Sequence, residues 1–224
     1  MKKIQTDLLN GVIWQQILIF FFPVFFGTVF QQLYNTVDAI VVGNFVGKEA
    51  LGAVGGSTGT LINLLVGFLV GLTSGATVVI AQFFGNRETE RVPITVSTSM
   101  VMSVVFGLIL TIVGYVFAPQ LLVFLKVPTD ILDYAVTYLR IFSIGLIPTL
   151  IYNTGSGVLR AIGDSKRPLY FLVAACITNI VLDIVFVAVF NMGVAGAAIA
   201  TVAAQIVSCI LTLFVLYRTE ECYR

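Results

Sequence analysis

Histidine is absent from this chain, and among its 224 residues there are only three cysteines and one tryptophan. Without histidine the sequence lacks the commonest general base at neutral pH and the commonest metal ligand, which disfavours enzyme chemistry. The cysteines, Cys176, Cys209 and Cys222, show no CxxC spacing and no evident pairing. Neither a redox motif nor a zinc site is expected from them, and all three read as structural. Charge is scarce as well: 10% of residues are charged, the net charge is +1, and no basic block occurs, which argues against a nucleic-acid partner. Polar stretches are too short to build a soluble domain.

What fills the sequence is apolar. Hydrophobic residues make up 58% and the mean hydropathy is +1.04, levels that belong to a membrane protein with the lipid bilayer as its first partner. A bilayer-spanning helix needs roughly 20 apolar residues. Punctuation by charge, glycine and proline cuts the chain into six such runs, at about 12–42, 51–84, 93–118, 131–160, 168–190 and 194–217. The expected fold class is therefore all-α: a polytopic membrane protein whose residues 1–224 form one six-helix bundle. The "MKK" start precedes an apolar stretch, Val12 to Val42, that is too long for a signal-peptide core and has no small-residue cleavage pattern after it, so it should stay attached.

Orientation follows from the basic residues, which cytoplasmic loops retain. Lys2, Lys3, Arg87, Arg91, Arg160, Lys166, Arg167, Arg218 and Arg224 fall on one side, and only Lys48 and Lys126 on the other. Both termini are expected in the cytoplasm. Arg140 lies within the fourth run. Pro23 and Pro148 should interrupt the first and fourth helices, since proline removes a backbone hydrogen bond. Gly67, Gly71 and Gly75, at four-residue spacing, read as a face for close helix packing.

A charged side chain in mid-bilayer costs about 2.5 to 3.5 kcal/mol on insertion scales, so each is a functional candidate by default. Asp38, Arg140 and Asp183 qualify. Around Asp38, the polar residues Gln31, Tyr34, Asn35 and Asp38 keep the i, i+3, i+4, i+7 spacing of one helix face, which must look into the bundle. Asn179 and Asp183 are i, i+4 neighbours in the fifth run, and Thr201 and Gln205 repeat that spacing in the sixth. Counting the helical rise from the outer ends places Asp38, Asp183 and Thr201 roughly 8 to 12 Å below the outer surface, where they could converge. Two carboxylates with amide and hydroxyl oxygens beside them suit a proton or a hard monovalent cation, and the pair should resist double ionisation. The competing expectation is structural: Arg140, at similar depth, would neutralise one aspartate and leave the other over.

Pro23, "QQLYNTVDAIVVG" (31–43), "GLTSGATVVIAQFFGNRE" (71–88) and "RAIGDSKRP" (160–168) together resemble the amino-terminal half of a multidrug and toxic compound extrusion (MATE) transporter, along the whole chain. The resemblance implies a cation-coupled antiporter of the cell (plasma) membrane that exports drugs or organic cations, with no cofactor beyond Na+ or H+ as coupling ion. It matches Asp38 to the first-helix aspartate of that lobe's cation site, which would hold Na+ if coupling is to sodium, and Asn179, Asp183 and Thr201 to the residues completing it. Tyr138 and Asn153 resemble further members of the polar network begun by Gln31, Tyr34 and Asn35, and Pro23 resembles a proline at which the first helix bends. Members of the family have two six-helix lobes, whereas this sequence stops near where the linker to the second would begin. It therefore reads as truncated, or as a half-size protein that pairs with itself or another chain. Two further readings stand beside it. A lipid-linked oligosaccharide flippase of the same superfamily would need cavity cations, for which Arg140 is the candidate. An intramembrane aspartyl protease would show "YD" and "GxGD" in its spans, but here the aspartates read "VD" and "LD". A non-transporting fragment is the remaining possibility.

Overall fold

The computed structural model describes residues 12–88 and 90–218; Lys2, Lys3, Cys222 and Arg224 lie outside them. In chain order the helices are α1 (Ile13–Phe45), α2 (Lys48–Gly55), α3 (Ser57–Gly85), α4 (Arg91–Val116), α5 (Ala118–Phe124), α6 (Thr129–Ile144), α7 (Leu146–Ala161), α8 (Lys166–Asp183, continued by a π-helical segment Ile184–Val189) and α9 (Gly193–Arg218). Among the described residues, five helical stretches are long and apolar enough to cross a membrane, and the bent pair α6–α7 makes a sixth. The all-α expectation holds.

Two of the expected runs are broken in ways that their chemistry explains. The fourth bends by 47° between α6 and α7. Pro148 has no N–H to bond the carbonyl of Ile144, so the ladder ends there, and proline is tolerated as the third residue of the new helix because first-turn N–H groups have no intrahelical partner anyway. The corner residue is Gly145, where any β-carbon would run into the side-chain amide oxygen of Gln205 on α9. The second run breaks at Gly56 into the short α2 and the long α3. The first run does not break: α1 is one helix of 33 residues that passes through Pro23.

The glycines of α3 correct the sequence reading. A β-carbon at Gly67, Gly71 or Gly75 would meet nothing within 4 Å, so this stripe is not a packing face among the described residues. Close approach occurs instead on α7, where Gly155 meets Thr212 of α9 and Gly157 meets Thr77 of α3. α7 thus runs through the middle of the bundle, packed on α3, α4 and α9. Interhelical hydrogen bonds add to this packing: the Ser103 and Thr154 hydroxyls share one at 2.6 Å, and Thr111 donates to the Ser143 carbonyl at 2.8 Å. Such bonds hold membrane helices together where lipid removes the usual hydrophobic incentive. Cys176 and Cys209 are free and buried.

Candidate functional site

The carboxyl-terminal third of α1 is where this helix enters the core. Asp38, Val41 and Val42 are buried, whereas most of the preceding residues are exposed. Against them pack α8 and α9, which bring Asn179 and Asp183 (both 0% exposed) and Thr201 (1%) to the same place. Asp183 lies within electrostatic reach of Asp38, with the Asn179 amide beside it. Thr201 faces the hydroxyls of Tyr34, on α1, and Tyr138, on α6. α8 changes its winding immediately after Asp183, where the π-helical segment begins. Single π-turns within helices recur at functional sites because they re-aim the side chains around them.

The decisive feature is what these groups lack. Asp38 Oδ1, both amide atoms of Asn179, both Asp183 carboxylate oxygens and Thr201 Oγ1 are buried and make no well-aligned hydrogen bond, even though the Asn179 amide lies beside Asp183 and the Thr201 hydroxyl beside those of Tyr34 and Tyr138. Buried polar atoms are normally paired, and an orphan costs about 1–3 kcal/mol, more if charged. Six on three adjoining helices form an unsatisfied oxygen-rich cluster. A proton on a carboxyl group or a hard cation among the oxygens would satisfy it. Among the described residues no group of three or more His, Cys, Asp or Glu assembles.

Arg140 does not serve this cluster. Its Nε donates to the Tyr115 carbonyl of α4 at 3.3 Å, and its guanidinium lies 5.6 Å from the centre of the Tyr115 ring. The expected alternative of an Arg140–aspartate ion pair is therefore overturned: α4 offers a carbonyl and an aromatic face at the position the side chain can reach.

The remaining polar residues line a cavity of about 250 Å³ next to the cluster. Gln31, Tyr34, Asn35, Tyr138, Asn153 and Thr201 are all on its wall, while Asp38, Asn179 and Asp183 are set back from it. Gln31 and Asn35 are exposed towards this opening, and Asn35 donates to Gln32 at 3.4 Å. A smaller cavity of about 120 Å³ adjoins it through the shared Gln31, Tyr152, Asn153 and Leu172, and Pro23 lies on its wall. Sequence reasoning missed Tyr152, Asn63 and Arg160 as cavity residues. The i, i+4, i+8 spacing of Tyr152, Ser156 and Arg160 could have flagged the last of these.

The MatE family model matches residues 23–185, most of the chain and all of α1 beyond its first turns through Asp183. The chain belongs to the MatE family. A MatE chain falls among transporters and not among enzymes. The "Probable multidrug resistance protein YpnP" of Bacillus subtilis (strain 168) is 32% identical over 208 residues, which cover 93% of this chain and 46% of that protein. This MatE chain thus spans about half the length of the curated relatives it matches. Among solved structures, the "outward-facing conformation of a multidrug resistance MATE family transporter of the MOP superfamily" superposes with a TM-score of 0.90 at 28% identity, covering all of this chain and 49% of that one. An "inward-facing conformation" bearing the same description superposes at 0.80 with 29% identity, over 86% of this chain and 43% of that one.

Proposed function

We propose that this chain is the amino-terminal lobe of a cation-coupled antiporter that exports drugs or organic cations, with Asp38, Asn179, Asp183 and Thr201 holding the coupling ion, Na+ or H+. The observation that carries the proposal is the set of six orphaned polar atoms on α1, α8 and α9. One positive charge shared by two poorly solvated carboxylates relieves both their repulsion and their desolvation. Tyr34 and Tyr138 are on the cavity wall, and Thr201 belongs both to that wall and to the cluster, so ion occupancy is coupled to the surface a substrate would touch. Gln31, Asn35 and Asn153 supply that surface with hydrogen-bonding groups. Pro23 lies in the exposed stretch of α1 beside the smaller cavity and is the position at which this helix would bend between states. The closer match to an outward-facing transporter supports reading the lobe in that arrangement.

Transport requires a second lobe or a second copy of the chain, because the cavity is bounded here by one lobe only. The orientation remains as read from the basic residues: both termini in the cytoplasm of a cell with this chain in its plasma membrane. The test is a melting series of the purified chain in nanodiscs against sodium concentration and pH. A site filled at 100 times its dissociation constant stabilises by about 2.7 kcal/mol. Asp38→Asn and Asp183→Asn should each remove that response, and the double variant should lose little more than either. Retention of the wild-type response by both single variants sinks the assignment.

A further inference from the structure

The smaller cavity, of about 120 Å³, carries a cation that the function above does not use. Arg160 lies in the last turn of α7, is half-buried, and lines this space together with Tyr152, Asn153, Gln31, Gly27 and Ser165. Among the described residues it has no ion pair. The carboxylate four residues on is committed elsewhere: Asp164 Oδ1 accepts the backbone N–H groups of Lys166 and Arg167 at 3.2 and 3.1 Å, capping the start of α8, and its Oδ2 pairs with Arg167 Nε at 3.1 Å. The Tyr152 hydroxyl lies near Arg160 but donates to the Pro168 carbonyl at 3.4 Å. A guanidinium without an ion pair thus lines a space that shares wall residues with the main cavity. A guanidinium prefers planar, two-point recognition of a carboxylate or phosphate.

We propose that Arg160, with the Asn153 amide as a neutral hydrogen-bonding partner and Tyr152 as part of the wall, forms a subsite for an anionic group, a phosphate or carboxylate carried by an amphiphile. The subsite lies at the opposite end of the joined cavities from the carboxylate cluster: Gln31, on the wall of both cavities, is seven residues before Asp38, roughly 10 Å along α1. The proposal rests on the transporter reading only in taking the joined cavities as a ligand chamber. The anion has two possible sources, a lipid headgroup or a soluble amphiphile.

The experiment uses the full chain in phosphatidylcholine nanodiscs titrated with butyl phosphate, with butanol as the uncharged control, and in a second arm nanodiscs containing phosphatidylglycerol with no additive. Wild type is expected to bind butyl phosphate or to be stabilised by phosphatidylglycerol, and the responding arm identifies the source. Arg160→Gln should weaken the response at least tenfold and Arg160→Lys by less, while both keep the sodium and pH response of the carboxylate cluster. Gly27→Leu adds bulk to the cavity wall while leaving the guanidinium in the sequence: Gly27 lines the space, and a β-carbon there would already sit 3.6 Å from Leu172, another wall residue. It should abolish the response too, and it carries the test should Arg160→Gln fail to fold. No response by wild type in either arm, or an unchanged response in Arg160→Gln or Gly27→Leu, overturns the subsite. A lost sodium response with the Arg160 result intact would instead count against the carboxylate cluster.

Discussion

Replacing Gly157 by alanine should destabilise the wild-type protein and stabilise a variant that lacks the Thr77 hydroxyl. A β-carbon at Gly157 would collide with Thr77 Oγ1 on α3, and that oxygen is tied to the Thr73 carbonyl at 2.8 Å, so it cannot turn away without losing the bond. Overpacking of this kind costs about 1–3 kcal/mol. Against it stands the helical advantage of alanine over glycine, about 0.8–1.0 kcal/mol. The net change in the wild type is then a loss of up to about 2 kcal/mol. With Thr77→Ala already in place the collision vanishes and the gain remains, so the same substitution should stabilise by about 1 kcal/mol. The difference is a coupling energy of about 1–3 kcal/mol, readable from a four-member cycle of detergent-solubilised variants unfolded by SDS or heat. If Gly157→Ala shifts both backgrounds by the same amount in the same direction, α3 and α7 do not meet at this point and the bundle's central contact is wrong.

Two further expectations concern charge. Cysteines placed at Asn44, Lys126 and Asn191 should react with an impermeant thiol reagent added outside cells, and one at Asn86 should not; the reverse pattern would invert the topology. Arg140→Gln should cost no more than about 1–2 kcal/mol, the value of its cation–π contact, and should leave the sodium and pH response intact. Loss of that response would return Arg140 to the aspartates.

Helix positions were partly legible in the sequence because lipid enforces long apolar runs: the outer ends of the runs fall within a few residues of helix ends, but two of the runs each hold two helices. That Asp38, Asp183 and Thr201 share a depth was legible too, since period and rise are both fixed by helix geometry. What escaped depends on partners and not on period. Gly67, Gly71 and Gly75 have the spacing of a packing face, yet spacing does not say whether a helix lies opposite. Pro148 was a visible break, but that Gly145 makes the corner follows only from the approach of Gln205. Arg140 and Asp183 share a depth, and nothing in one dimension shows that Tyr115 lies nearer. Arg160 entered only the count of basic residues on one side, since nothing in one dimension shows that its side chain lines a cavity wall.

With Arg140 engaged on Tyr115, no cation among the described residues pairs with the two buried aspartates, and a charge that balances them would come from the bound ion. In the proposed orientation, an ion arriving from the outer surface would cross about 10 Å of a hydrocarbon core about 30 Å thick, a third of the transmembrane field. One charge moved across the whole field is worth about 2.3 kcal/mol per 100 mV, so this partial passage is worth about 0.8 kcal/mol. Loading of the site should therefore be voltage-dependent, its affinity rising roughly fourfold for each 100 mV that the cell interior becomes more negative. A resting membrane potential would then help hold the ion in place before any substrate arrives.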